Sequence, residues 1–202
     1  MPTIETTTIA LILWAIFGYG IGSIPFGLVL ARVMGLGNLR EIGSGNIGAT
    51  NVLRTGNKKA AALTLLLDAG KGAFVVLIAK LLANPDAVQL AALMAMIGHC
   101  YPVWLRFKGG KGVATFLGIM LALAWPAGIG CCIAWLIGAG ISRMSSMGAL
   151  AAASASTFLL VFLGYGYLLL LGIALTILVF WRHRANIHRV RAGTEPKIGQ
   201  QG

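Results

Sequence analysis

The chain has 202 residues, 58% of them hydrophobic and only 10% charged, with a mean hydropathy of +0.86. A water-soluble domain of this size carries about a quarter charged residues, so a soluble globular protein is excluded and a polytopic membrane protein is expected. The formal net charge of +11 fits loops that face anionic headgroups better than nucleic-acid binding, and no nucleic-acid partner is expected.

Residues 1–8 carry Glu5 and no Lys or Arg, so the first apolar run reads as a retained helix rather than a cleaved signal peptide. A crossing helix needs about 20 apolar residues. Ile9–Ala31 is one such span. Ala60–Ala83 is a second, interrupted by Asp68 and Lys71, and Ala87–Phe107 a third after the Asn84-Pro85-Asp86 break. Four shorter segments follow: Val113–Ala124, Pro126–Ile141, Met147–Leu163 and Tyr167–Trp181. They are divided at Trp125-Pro126, around Arg143 and at Gly164-Tyr165-Gly166. The expected fold is all-α, one integral membrane domain over 1–202, with about seven transmembrane helices or, since several segments are short, five or six full spans.

Charge placement orients this arrangement. With the N-terminus outside and seven alternating spans, the inner segments hold 14 of the 16 Lys and Arg residues, and the outer ones hold Glu5 and Asp86 without a cation. That satisfies the positive-inside rule and predicts a periplasmic N-terminus and a cytoplasmic C-terminus. It also puts three polar, Gly-rich stretches, 32–59, 106–112 and 182–202, on the same face.

The first, "IGSGNIGATNVLR" (Ile42–Arg54), contains G-x-G-x-x-G at Gly43, Gly45 and Gly48. A dinucleotide fold needs a strand before this spacing and a helix opening at it. Here a hydrophobic span and a polar loop precede it, and Asp68, at the right distance for a ribose carboxylate, lies inside a span. A flexible loop is the plain alternative. Gly43, Gly45, Ser44, Asn46, Thr50, Asn51 and Arg54 favour an anion site instead. Glycines let amide groups converge on one anion, a following helix N-terminus adds its dipole, and Arg54 offers a two-pronged donor.

The second, "RFKGGKGVAT" (Arg106–Thr115), lacks the G-x-x-x-x-G-K-[ST] of a nucleotide-hydrolysing loop. Positive-inside placement accounts for Arg106 and Lys108. Gly109, Gly110 and Gly112 around Lys111 point to a lysine held against phosphate. In the third, "WRHRANIHRVRAGTEPKIG" (Trp181–Gly199), a basic tail on the membrane surface accounts for most of the cations, while His183 and Asn186 share a helix face at i,i+3.

Asp68 and Lys71, also i,i+3, are read as an intramembrane pair, and His99 as a helix–helix contact. Cys100, Cys131 and Cys132 are read as packing residues, with no C-x-x-C and no metal-ligand cluster. No metal and no cofactor is expected. S-x-x-K, H-E-x-x-H and G-x-S-x-G are absent from the loops, so chemistry here would depend on an activated substrate positioned by cations.

"GSGNIGATNVLR", "LDAGKG", "FKGGKGVAT" and "RHRANIHRVRAGTEPKIG", in this order, resemble the bacterial acyl-phosphate-dependent glycerol-3-phosphate acyltransferase family. The resemblance covers essentially the whole chain. It implies a seven-span inner-membrane enzyme with a cytoplasmic-face site. A fatty acyl group would pass from acyl phosphate to the 1-hydroxyl of sn-glycerol 3-phosphate, giving lysophosphatidic acid, the first step of membrane phospholipid synthesis. The implied partners are these two substrates, membrane lipid and the enzyme that makes the acyl phosphate. On that reading Ser44, the glycine backbone and Arg54 bind phosphate, and Lys111 neutralises charge at the carbonyl or the departing phosphate. Asn186 orients the hydroxyl or polarises the carbonyl, and His183 contacts glycerol 3-phosphate. The general base is either a substrate phosphate oxygen or His183. The acyl chain would lie among the later, shorter helices. A small channel or anion carrier is the competing class, but it predicts polar residues through the bilayer midplane rather than on one face. A scaffolding protein leaves Asn46, Thr50, Asn51 and Asn186 unused.

Overall fold

A computed structural model describes residues 4–199, and among them every regular element is helical. The first apolar run is α1 (Thr8–Gly22) and α2 (Phe26–Val33), which together have the length and hydropathy of one crossing. The uninterrupted span expected over Ile9–Ala31 breaks at Ser23-Ile24-Pro25, because proline has no N–H to continue the ladder. Two carbonyls at the break find partners on other segments. Ser23 O accepts from Trp104 Nε1 (2.9 Å) and Ile24 O from Lys71 Nζ (2.7 Å). Backbone polar groups at membrane depth demand such partners.

A loop carrying the short α3 (Ala49–Leu53) leads to α4 (Lys58–Leu82), whose N-terminus is capped by Asn57 Oδ1 accepting from Ala60 N at 2.9 Å. Then come α5 (Pro85–Cys100), α6 (Val113–Leu123), α7 (Trp125–Ser142) and α8 (Ser145–Phe162). The chain finishes with α9 (Leu169–Arg182) and α10 (Arg184–Arg191). All seven apolar segments are helical over most of their length, although the third, expected to reach Phe107, ends its α-helix at Cys100. Five crossings meet the length and hydropathy of a full span, or six if the last bent pair is one. At 11 residues, α6 reaches only about 16 Å, roughly half the hydrocarbon thickness.

Small residues set the helix pairing. Gly18 and Gly22 of α1 lie on the backbone of Ala91 and Ala95 of α5. Gly118 of α6 lies on Ala69 of α4, and Gly148 of α8 on Trp135 of α7. Lipid tails are as apolar as leucine, so close backbone approach is what drives association. Large apolar side chains such as Leu13, Leu81, Ile137 and Phe162 point outward, and exposed Trp104, Trp125 and Trp181 suit the interface.

A matched pair of substitutions checks this packing. A β-carbon on Gly22 would lie 2.6 Å from Ala95 Cα, whereas one on Gly20 meets nothing within 4 Å. Gly22→Ala is expected to destabilise the fold by about 1–3 kcal/mol, seen as a lower thermal midpoint in detergent, and Gly20→Ala to leave the midpoint unchanged or raise it.

Candidate active site

The first Gly-rich loop is anchored over the ends of α2 and α4 by a small buried cluster, Ala31, Leu39, Val52, Ala60 and Ala61. Its organising residue is Asn51, 2% exposed. Asn51 Nδ2 donates to Leu39 O (3.0 Å) and Asn46 O (2.7 Å), and Oδ1 accepts from Ser44 N (3.1 Å), Ser44 Oγ (3.3 Å) and Arg54 Nη1 (3.3 Å). Gly43 must be glycine here. Its φ is +51°, and a β-carbon would lie 2.9 Å from Asn51 Oδ1 and 2.7 Å from Arg54 Nη1.

The loop differs in one respect from a ring of free amides. The Ser44 N–H is spent on Asn51, and the Gly45 N–H on Ile42 O at 2.9 Å. With five residues, α3 has little dipole to add, since the macrodipole sums over aligned peptides. The loop presents side chains instead: Ser44, Arg54 and Thr50, whose Oγ1 lies 3.1 Å from Ser145 Oγ.

In the second loop, Gly109 and Gly110 are consumed by packing. Their N–H groups donate to Cys100 O and His99 O (both 3.1 Å), and their carbonyls accept from Arg182 Nη2 (3.1 Å) and Nε (3.0 Å). A β-carbon on Gly110 would overlap His99 Nε2. These glycines therefore let the loop lie flat on the end of α5, which fixes where Lys111 emerges. Gly112 at φ +80° opens α6.

His183 and Asn186 do not ride on one continuous helix. His183 sits at the 58° bend between the run ending in α9 and α10, with Asn186 on α10. Both are buried. His183 Nδ1 is 2.8 Å from Val179 O. A carbonyl only accepts, so Nδ1 carries the proton, and in the neutral ring Nε2 keeps its lone pair. Asn186 Nδ2 donates to Glu195 Oε1 at 2.6 Å, while Oδ1 is buried with no hydrogen-bond partner among the described residues. The carboxylate also accepts from Ser146 Oγ (2.7 Å) and Arg189 Nε (2.8 Å). Burial pushes the Glu195 carboxyl up, but these three donors and the Arg189 charge outweigh it and hold the group below the ordinary carboxylate range. Glu195, Ser146 and Arg189 are the site residues that sequence reasoning missed. The available signal was Glu195 itself, a single acid inside an otherwise basic tail.

The three stretches meet at one cavity of about 430 Å³. Ser44, Asn46, Thr50, Asn51, Arg54, Lys111, Gly112, His183, Asn186, Arg189 and Glu195 line it, together with Asp68 and His99 at depth. Gly43, Gly45, Gly109 and Gly110 are not on its wall; they shape the loops behind it. An apolar arm continues past Leu65 of α4, Leu117 of α6, and Cys132, Trp135 and Leu136 of α7. Asp68 Oδ1 pairs with Lys71 Nζ at 2.7 Å and lies 3.6 Å from His99 Nδ1. The expected intramembrane pair is thus present and extends toward a third group.

A family model described as glycerol-3-phosphate acyltransferase matches residues 12–193. The chain belongs to the glycerol-3-phosphate acyltransferase family. A glycerol-3-phosphate acyltransferase of Ruegeria pomeroyi is 68% identical over 201 residues, covering 100% of this chain and 99% of the relative. One of Roseobacter denitrificans is 67% identical over 198 residues, covering 98% and 99%. Among solved structures, PlsY (YgiH), an integral membrane glycerol 3-phosphate acyltransferase, matches in its glycerol 3-phosphate form with a TM-score of 0.88 and 38% identity. That match covers 94% of this chain and 96% of the other. The lysophosphatidic acid form of PlsY matches with a TM-score of 0.83 and 35% identity, covering 94% and 95%. The acyltransferase is therefore an integral, all-helical membrane enzyme that uses glycerol 3-phosphate, and its cavity combines a cationic head with an apolar tail.

Proposed function

We propose that the enzyme transfers a fatty acyl group from an acyl phosphate to the 1-hydroxyl of sn-glycerol 3-phosphate, releasing lysophosphatidic acid and inorganic phosphate. The site is read as cytoplasmic in the bacterial inner membrane, from the charge asymmetry of the loops. The observation that carries the reading is one cavity that joins Arg54, Lys111 and Arg189 to an apolar arm. An acyl phosphate has this shape and charge, and glycerol 3-phosphate brings a second phosphate to the same cations. The enzyme that makes the acyl phosphate is the implied partner.

Each residue then has a task set by its bonds. Arg54 and Ser44, tethered through Asn51, bind phosphate. Lys111 neutralises charge where the mixed anhydride breaks. Asn186 has an Nδ2 donor committed to Glu195, which leaves Oδ1 as an acceptor. This favours holding the attacking hydroxyl over polarising the carbonyl. His183 Nε2 is a second acceptor for a glycerol hydroxyl. The hydroxyl oxygen attacks the acyl carbon, the bond from carbon to the bridging oxygen breaks, and phosphate departs with the electron pair. The hydroxyl proton goes to a phosphate oxygen of a substrate, and no protein nucleophile is used.

The test is phosphate release by the purified enzyme mixed with palmitoyl phosphate and glycerol 3-phosphate, expected only when both are present. His183→Ala is expected to raise KM for glycerol 3-phosphate about tenfold with a smaller change in kcat, as loss of a binding contact does. Collapse of kcat at unchanged KM would make His183 the base. A folded wild type that is silent across several chain lengths would return the carrier reading.

A further inference from the structure

The apolar arm of the cavity runs between α6 and α7, and the way those helices meet determines where it stops. They are joined by Ala124 alone. One turn from the joint they touch. Gly128 is buried, and a β-carbon on it would lie 2.6 Å from both N and Cα of Leu121. One turn further along each helix, Leu117 and Cys132 face the cavity instead. The two helices are thus in close contact at Leu121 and Gly128, neither of which is on the cavity wall, whereas Leu117 and Cys132, one turn away, are. On its other side α6 is locked to α4, where a β-carbon on Gly72 would lie 2.6 Å from Thr115 O. By helical rise, Cys132 is about 15 Å along α7 from Ser142 at its polar end.

We infer that this end of the cavity, between Leu117 and Cys132, is the acyl-chain ruler of the enzyme. The occupant is the hydrocarbon tail of the acyl donor, because the slot is continuous with the cationic end that holds its phosphate. The tail ends against the Leu121–Gly128 contact, and Leu117 and Cys132 are the last side chains it passes. Cys132 controls the length. It is a small residue on the cavity wall one turn from the Leu121–Gly128 contact, and partly exposed, so its size sets the room left for the terminal methylenes. This rests on the acyl-phosphate reading above.

The experiment compares kcat/KM for palmitoyl phosphate and decanoyl phosphate in the wild type and in Cys132→Phe. Each methylene in an apolar pocket is worth about tenfold or more in discrimination, so the palmitoyl-to-decanoyl ratio is expected to fall at least about tenfold in the variant. A ratio that stays put while the wild type works overturns the ruler alone. A wild type inactive with both donors overturns the donor reading, and the ruler with it. A second measurement needs no variant. Cys100 and Cys131 are buried, so alkylation of the native protein by a small uncharged thiol reagent reports on Cys132. Palmitoyl lysophosphatidate is expected to slow that alkylation and decanoyl lysophosphatidate to leave it fast. Equal protection by both, or by neither, overturns the inference.

Discussion

Lys111→Ala is expected to lower kcat/KM by about two to three orders of magnitude, the usual cost of removing one preorganised charge donor from a reacting centre. Lys111 is held where its charge is poorly tolerated. Burial pushes its ammonium down to a pKa of about 8; Glu195 opposes this, while Arg189, Arg54 and Arg182 add to it. The free enzyme therefore surrenders the proton above about pH 8, and kcat/KM should fall on the alkaline side of that value. Bound phosphate, an opposite charge, restores the ammonium. The alkaline limb of kcat should accordingly lie at higher pH than that of kcat/KM, since the first reports the bound state and the second the free enzyme. Lys111→Ala should remove the alkaline limb along with most of the rate. A profile still falling near pH 8 in the alanine variant would assign that titration elsewhere and leave Lys111 a loop residue. Lys111→Arg should rescue poorly, because a wider planar fork cannot occupy the position of a compact point charge.

How far the sequence reached follows from the kind of force involved. Hydropathy located every apolar segment, because crossing a bilayer is a property of a segment alone. It did not weigh Pro25, which breaks the first run, and could not show that Trp104 and Lys71 arrive from elsewhere to satisfy the two carbonyls at the break. The three motifs were legible as lying on one face, and nine of the thirteen residues expected to form the site line one cavity. The glycines were legible as necessary but not in their purpose. Gly109 and Gly110 are spent on the end of α5, and nothing in the local spacing distinguishes a glycine that admits a phosphate from one that admits a histidine ring. Glu195 escaped because a lone acid beside several arginines reads as a surface ion pair, whereas here it binds Ser146 of α8 and Asn186 of α10 together. The walls of the proposed acyl slot were illegible for a deeper reason. A leucine facing lipid and a leucine facing an acyl chain satisfy the same hydropathy, so only its place on the cavity wall singles out a residue such as Leu117.

Substitutions at Asn51 are expected to separate the two jobs this residue performs. Its amide nitrogen holds Leu39 O and Asn46 O, which shapes the loop; its carbonyl oxygen holds Ser44 and Arg54, which aims the groups assigned to phosphate. Asn51→Asp has nearly the same shape and keeps the acceptor but loses both donors. Two carbonyls then face a carboxylate at a site 2% exposed, and each costs about 1–3 kcal/mol when left unpaired. The thermal midpoint should drop markedly. The surviving enzyme should still bind glycerol 3-phosphate, because a carboxylate accepts from Ser44 and Arg54 at least as well as an amide does. Asn51→Ala removes both functions. It should combine the same loss of stability with a KM for glycerol 3-phosphate raised by about a hundredfold, of the order expected when two charge-assisted contacts lose their aim. Ser44→Ala makes the comparison sharper. It gives up one 3.3 Å bond to Asn51 and should barely change the midpoint, so any large loss of activity belongs to contact with substrate. If Asn51→Ala instead proved as unstable as expected but kept its KM, the loop would be a tether between α2 and α4, and phosphate would be held from the Lys111 and Arg189 side of the cavity.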